Sequence, residues 1–194
     1  MKSIRPIFLI IISFFTVLNC RKASNYEIES KVFDDIFISI VDSTLIDRRT
    51  YLGFEYSKKQ IDSIKKDSLN RIVAFTPKLG SIDSDDLKKI PKDYKSISDS
   101  VWSFTPEKYN TNKYIFKKTS ELPFDNSYEN WKNKYPKFFG VLSFSQIYFD
   151  KEMKNGILST TYICGISCTV GYLVYIEMVN NKWKIKKVDK TWIS

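Results

Sequence analysis

Apolar residues recur at helical spacing soon after residue 24. The members of this stripe are Ile28, Val32, Phe33, Ile36, Phe37, Ile40 and Val41. Ser24 and Glu27 stand at the positions of a capping box, in which each side chain accepts a hydrogen bond from the backbone N–H of the other residue. The pattern therefore predicts a helix over residues 25–43 whose apolar side packs on the rest of the protein.

The C-terminal part of the chain contains four strand-like runs divided by short polar breaks. They cover residues 145–149, 157–163, 172–179 and 182–188. Asn180 and Asn181 separate the last two runs, and Asn suits a two-residue hairpin turn because it tolerates the positive φ that such turns require. These signals predict an antiparallel β-meander.

A turn at Asn180 and Asn181 sets the pairing of the last two strands. Counting outward, Val179 faces Lys182, Met178 faces Trp183, Glu177 faces Lys184 and Ile176 faces Ile185. One face then carries Tyr172, Val174, Ile176, Met178, Trp183 and Ile185, and the other carries Glu177, Lys184 and Lys186. Because apolar and polar residues separate in this register, we expect one buried and one solvated face.

Shorter elements are predicted between these two regions. Strand character is found at residues 50–56, 71–76 and 114–116, polar helices suit residues 57–69 and 127–135, and turns dominate residues 77–112. The sequence contains no internal repeat and no sign of a second domain. Residues 25–194 are therefore predicted to form one α+β domain, with the N-terminal helix packed on an antiparallel sheet that ends in the C-terminal meander.

The start of the chain has a separate pattern. Lys2 and Arg5 precede an apolar run over residues 7–18, and Asn19 and Cys20 follow it. The run is shorter than the roughly 20 residues needed to span a bilayer and has the length of a signal-peptide core.

This leader resembles the signal of bacterial lipoproteins, in which an obligatory cysteine follows the apolar run. The resemblance implies that residues 1–19 are removed, that Cys20 carries a thioether-linked diacylglycerol and usually an acylated amine, and that residues 20–24 form a short tether. The membrane would then be a partner through the acyl chains on Cys20. Two alternatives stay open: an ordinary cleaved signal with an incidental cysteine, and an uncleaved anchor.

Composition changes this picture in two respects. The formal net charge is +9, from 31 Lys and Arg against 22 Asp and Glu, but the only arginines are Arg5, Arg21, Arg48, Arg49 and Arg71. Because arginine is the residue that contacts phosphate and guanine in a bidentate manner, we expect a solvated basic surface and no nucleic-acid partner. The chain contains no histidine, which excludes Ser-His-Asp catalysis, His-containing zinc sites and His-ligated haem.

Cys164 and Cys168 lie between two predicted strands. Four fully extended residues span about 13 Å, beyond the roughly 4.4–6.8 Å between Cα atoms in a disulfide. The chain must therefore fold back over residues 165–167, as a three-residue hairpin loop does. Outside the cytoplasm, two cysteines left after lipidation indicate a disulfide. A metal site and a redox-active pair are weaker alternatives, because histidine is absent and the spacing is CxxxC.

No catalytic, cofactor-binding or metal-binding residue is assigned from the sequence. The acidic run at residues 83–86 could contribute to a calcium site, but it suits a helix start better because acids favour the first turn. Trp131 and Tyr135 stand four positions apart among lysines, so they are candidate ligand-surface aromatics, although core packing explains this spacing better. Trp192 is predicted to fill the core near the C-terminus.

Several C-terminal segments carry a family resemblance. They are the run FSQIYFDKE at residues 144–152, Cys164-Gly165 with Cys168, Gly171-Tyr172, Trp183-Lys184-Ile185 and Trp192-Ile193-Ser194. Together with the leader, they resemble a group of small bacterial lipoproteins that has no assigned activity. The resemblance implies an extracytoplasmic domain with a β-meander and carries no activity over. Thr169 stands where the group has Gly after the second cysteine.

These observations predict a lipid-anchored protein of the cell envelope with a non-enzymatic binding or accessory role. Its partner would be another envelope protein or cell-wall material. By resemblance to sorting patterns, Arg21 and Lys22 after Cys20 favour the periplasmic face of an outer membrane. The alternatives are an envelope glycan hydrolase that uses paired carboxylates, and an inhibitor or immunity lipoprotein that protects its own cell from a secreted toxin.

Overall fold

The computed structural model describes residues 24–47, 57–98, 105–123, 128–165 and 167–194. The predicted signal peptide, Cys20 and the predicted strand at residues 50–56 lie outside these ranges and stay predictions. The described residues form helices packed on one sheet.

The first helix, α1, spans Asn25–Thr44 and begins at the predicted capping box. The Glu27 N–H donates to Ser24 Oγ at 3.3 Å, and the Ser24 N–H donates to Glu27 Oε2 at 2.7 Å. Every member of the predicted apolar stripe is buried except Ile28, which is half-buried. The helix and its packing face are therefore confirmed.

The other elements follow the predicted order. The remaining helices are α2 at Lys58–Lys66, α3 at Ser84–Leu87 and α4 at Tyr128–Lys134, with single 3₁₀ turns at Pro106–Tyr109 and Thr119–Glu121. The strands are β1 at Arg71–Phe75, β2 at Lys95–Ser96, β3 at Tyr114–Lys118, β4 at Phe138–Phe144, β5 at Tyr148–Phe149, β6 at Asn155–Gly165, β7 at Cys168–Val179 and β8 at Lys182–Ile193. The helices predicted at residues 57–69 and 127–135 are present as α2 and α4, and the strands predicted at 71–76 and 114–116 are present as β1 and β3. Only their ends differ slightly from the prediction.

The strands form one mixed sheet around β6. β6 pairs antiparallel with β7 on one side and with β4 and β5 on the other, and β8 lies beyond β7 at one edge. β1 lies between β3 and β4 and runs parallel to both. The α+β class and the mainly antiparallel sheet are confirmed. The parallel pairs arise because residues 76–113 carry the chain back before β3 begins, as a parallel connection requires.

The hairpin of β7 and β8 has the predicted register. Asn180 and Asn181 form the turn with φ values of 52° and 60°. The four predicted pairs are present: Val179 with Lys182, Met178 with Trp183, Glu177 with Lys184 and Ile176 with Ile185. The predicted apolar face is buried or half-buried except at Met178, which lies beside the turn and is 37 % exposed.

The sheet is covered on both faces, although one solvated face was predicted. On the front face, α1 packs through Phe33 and Phe37 against a core that includes Phe75 and Phe144. The back face carries two smaller clusters: Ala74, Leu122, Phe138 and Val141 beside α4, and Ile82, Ile90, Ile157 and Leu173 beside α3. Glu177, Lys184 and Lys186 of the predicted solvated face are half-buried or exposed, but residues 82–94 fold over Leu173 on the same face.

The sequence pattern did not predict β4, nor the two-residue strand β2. The residues of β4 form an apolar run without alternation, because side chains on both of its faces are buried. The strand expected at residues 145–149 is reduced to β5, and Ser145 instead forms an isolated bridge with Gly80.

Candidate functional site

A cleft of about 400 Å³ opens on the back face of the sheet. It is lined by residues of β6, β7 and β8 and by Tyr94 at the end of residues 82–94, the segment that we call the cover. The volume falls within the range of small-ligand sites, roughly 300–1,000 Å³. The cleft is therefore a candidate site, and aromatic, amide and basic side chains line it.

One row of paired residues crosses five strands at the cleft. Ser96 of β2 pairs with Tyr148 of β5, Tyr148 with Ile157 of β6, Ile157 with Tyr175 of β7, and Tyr175 with Lys187 of β8. Residues that pair directly across strands share a face. The row therefore sets Tyr175 and Lys187 side by side, and the Lys187 Nζ lies 5.5 Å from the centroid of the Tyr175 ring.

A β-bulge brings two consecutive lysines to the cleft. Tyr175 pairs with Lys187 while Ile176 pairs with Ile185, so Lys186 is the extra residue of the bulge. Strict alternation from the turn would put Lys187 on the front face. The bulge resets the alternation, and both lysines line the cleft. Lys187 is a site residue that sequence reasoning missed, because no residue type marks a bulge here.

Asp86 holds the cover against β8. Its side chain is buried, Oδ2 accepts a hydrogen bond from the Thr191 hydroxyl at 3.0 Å, and Oδ1 accepts one from Lys89 Nζ at 2.7 Å. Asp83 caps α3 by accepting from the Asp85 N–H at 2.9 Å. The acidic run is therefore a helix start, as predicted. In the part of the chain that the structure describes, no group of three or more His, Cys, Asp or Glu could hold a metal ion.

Each lysine of the cleft is paired with a carboxylate. Lys186 Nζ lies 3.2 Å from Glu177 Oε2, and Lys187 Nζ lies 2.7 Å from Asp189 Oδ2. The hydrogen bond to Asp189 raises the pKa of Lys187. Both lysines are exposed, and exposed ion pairs contribute little net stability because water screens them. An anionic ligand could therefore replace either carboxylate.

Tyr94 and Asn155 add neutral hydrogen-bonding groups. Burial raises the pKa of Tyr94, and the charges of Asp150 and Asp93 raise it further, so the hydroxyl stays protonated at neutral pH. Asn155 Nδ2 donates to Asp150 Oδ2 at 2.7 Å, and a side-chain amide has a second N–H and an oxygen acceptor besides. The cleft thus combines two phenols, one amide and two ammonium groups.

Trp131 and Tyr135 are not part of the cleft. Both are half-buried against the back-face cluster of Ala74 and Phe138 beside α4. The Trp131 Nε1 donates to the Pro123 carbonyl oxygen at 3.0 Å. Core packing, the alternative weighed from their spacing, therefore accounts for both residues.

Cys164 and Cys168 lie within disulfide distance, with their Cα atoms 5.2 Å apart. β6 ends at Gly165, which pairs with Cys168 at the start of β7, whereas the predicted loop began at Gly165. Both cysteines contact the front-face core. Eight positions separate Cys164 from Gly156 at the cleft, about 26 Å along β6, so the pair is not part of the site.

Trp192 is not a core residue, contrary to the prediction. It is 38 % exposed because β8 is an edge strand, and its ring lies across Gly171. A Cβ added to Gly171 would come within 2.1 Å of the Trp192 Nε1. The missing side chain at Gly171 is thus what lets the indole lie flat on the sheet.

Comparison with known proteins does not identify a family for this chain. A scan against protein-family models finds no match, and searches of curated proteins and of solved structures find none either. None of the described helices is long and apolar enough to cross a membrane. Function is therefore inferred from the cleft and the leader.

Proposed function

We propose that this protein is a lipid-anchored protein of the cell envelope that binds a small ligand, or a small part of a larger one, in the back-face cleft. The observation that carries the proposal is the row of paired residues across five strands, which sets Tyr175 and Lys187 side by side in the cleft that Tyr94 also lines. A rigid sheet presents these groups in one fixed arrangement, as a binding site requires.

The anchor is supported by the leader. Cys20 follows an apolar run of signal-peptide length, and two or more acyl chains give stable membrane attachment where one chain does not. Ser24, which caps α1, comes four positions after Cys20. Four residues reach at most about 14 Å, so the acyl chains would hold the folded domain close to the membrane surface. Attachment raises the local concentration of the cleft there, so that a weak interaction suffices.

The side chains of the cleft suit ligand binding better than hydrolysis. Its aromatic faces bury apolar surface, and its phenol, amide and ammonium groups donate hydrogen bonds to a ligand. Hydrolysis of a glycan requires two carboxyl groups on either side of the scissile bond. Glu177 and Asp189 are the carboxylates paired with the lysines of the cleft, and their ion pairs suit a structural role at its rim.

The anchor is tested by metabolic labelling with a clickable palmitate and by membrane fractionation of cells. We expect the wild-type chain to be labelled and sedimented with membranes, and Cys20→Ser to be unlabelled and released. Cys168→Ser is the matched control, since it replaces another cysteine and leaves Cys20 in place. A Cys20→Ser variant that still carries the label would refute the anchor.

The cleft is tested in intact cells with a photoreactive amino acid at position 94. We expect illumination to crosslink envelope material to this variant, because Tyr94 lines the cleft. The same amino acid at Leu69, which is exposed and lies outside the cleft, is the control. Equal crosslinking from both positions would count against a binding role for the cleft.

A further inference from the structure

We infer that the ligand of the back-face cleft is an acidic saccharide, a sugar unit that bears a carboxylate or phosphate group. This inference rests on the proposed function, because it names the ligand class for the same cleft. It follows from three features: the two tyrosines, the lysine pair of the bulge, and the hydrogen-bonding groups between them.

Two tyrosine rings line the cleft. Tyr94 belongs to the cover and Tyr175 to β7, and both are half-buried against the cluster of Ile157 and Leu173. The ring face of an aromatic residue carries negative charge density, which attracts the weakly positive C–H groups of a sugar ring. A pyranose is apolar on its faces and polar at its edge, so it matches two tyrosines with polar groups beside them.

The lysines select for a negative charge. Both charged side chains among the residues that line the cleft are lysines, Lys186 and Lys187, and the bulge of β8 brings them to the same face. Their partners, Glu177 and Asp189, are held in exposed ion pairs. Because such pairs contribute little, a ligand carboxylate or phosphate can take the place of one partner. A neutral sugar can accept hydrogen bonds from the ammonium groups but gains no charge–charge attraction from them.

The neutral groups fit the edge of a sugar. Tyr94 and Tyr175 each present a hydroxyl, and the Asn155 amide offers both a donor and an acceptor. Sugar hydroxyls donate and accept in the same way. A nucleotide would also stack on tyrosine, and lysine binds phosphate as a point charge. Adenosine monophosphate is therefore the competing ligand that the test includes.

Isothermal titration of the purified full-length lipoprotein in detergent tests the inference. The probes are a disaccharide of N-acetylglucosamine and N-acetylmuramic acid, a disaccharide ending in glucuronic acid, a glucose phosphate, and the neutral disaccharide of N-acetylglucosamine. We expect at least one acidic sugar to bind about tenfold more tightly than the neutral disaccharide, which corresponds to about 1.4 kcal/mol. The carboxylate and phosphate probes distinguish the two kinds of acidic group.

Three substitutions in the cleft and one control outside it locate the binding. Lys186→Met and Lys187→Met should each weaken binding of the acidic sugar several-fold more than binding of the neutral sugar, because only the acidic sugar loses a charge–charge attraction. Lys182→Met removes the same charge from the same strand beside the turn, outside the cleft, and should change neither affinity. Tyr175→Leu should weaken every sugar about tenfold. Tyr175 also packs on the back-face cluster, so its substitution changes stability as well as binding. If Tyr175→Leu unfolds, the two lysine variants still test the inference.

Three results would overturn the inference: equal affinity for acidic and neutral sugars, tighter binding of adenosine monophosphate or of an acidic peptide, and no heat of binding to a protein that unfolds cooperatively. The proposed function is tested by separate experiments, palmitate labelling and crosslinking in cells. A protein that is anchored and crosslinked but binds no acidic sugar would therefore refute the ligand class alone.

Discussion

Asp86 of the cover and Thr191 of the edge strand share a hydrogen bond of 3.0 Å, across 105 positions of the chain. Asp86 is 3 % exposed, and it also accepts from Lys89 within the cover. The helix in the cover, α3, has only four residues, so it gains little stability from its own hydrogen bonds. This contact with β8 therefore helps to hold the cover over the sheet.

Asp86→Ala should destabilise the fold by about 1–3 kcal/mol, because it leaves the Thr191 hydroxyl and Lys89 without their buried acceptor. Urea unfolding measures the change. Asp85→Ala is the matched control, since Asp85 pairs with Lys88 at the surface and its loss should change stability by less than about 0.5 kcal/mol. Equal losses for the two variants would contradict the role of Asp86.

Glu29 should make the protein less stable as the pH rises. It is 1 % exposed within α1, its Oε1 has no hydrogen-bond partner, and burial raises its pKa above 4.5 despite hydrogen bonds from Ser98 and the Ile147 backbone. The folded protein therefore holds this proton more tightly than the unfolded chain. Stability should fall from pH 4.5 upward until the pH passes the raised pKa, and it should not change from this source below pH 4.5.

Glu29→Gln removes this ionisation, so the decline in the free energy of unfolding above pH 4.5 should become smaller in urea titrations at a series of pH values. Glu152→Gln, an exposed residue paired with Lys154, is the control and should leave the pH profile unchanged. The prediction would be wrong if the free energy of unfolding of the wild type rises between pH 4.5 and 7 and Glu29→Gln removes that rise.

Reduction of the cysteine pair should cost about 2 kcal/mol, the chain-entropy value for a loop of about five residues. The measurement is urea unfolding with and without dithiothreitol. A variant with both Cys164→Ala and Cys168→Ala should not respond to the reductant. Two free thiols in the intact mass of protein purified from the periplasm would refute the bond.

Gly171→Ala should displace the indole of Trp192, because the new Cβ would lie 2.1 Å from its Nε1. We expect a loss of about 1–3 kcal/mol, as for overpacking, and a red shift of tryptophan emission. In a Trp192→Ala background the same substitution should cost much less, so a double-mutant cycle should give a clear coupling energy. Gly80→Ala is the control, since its Cβ would meet nothing closer than 3.9 Å.

The strongest sequence predictions were those that depend on neighbouring residues. Ser24 and Glu27 satisfy the first N–H groups of α1 within one turn, so the start of the helix is readable without knowing its surroundings. Asn180 and Asn181 likewise set the register of the last hairpin through their own backbone conformation. The apolar stripe of α1 then gave the buried face, because a single helix surface has one period.

The amino-acid sequence by itself determined α1, the final hairpin and the α+β class, since each follows from contacts within a few residues. Only the tertiary structure decided that residues 82–94 cover the back face, that β4 is buried on both sides and that a bulge turns Lys187 toward Tyr175. Those outcomes depend on which segments meet across long separations, as Asp86 and Thr191 do. The spacing of residue types along the chain does not indicate such long-range contacts, so the cleft could not be recognised before the fold was known.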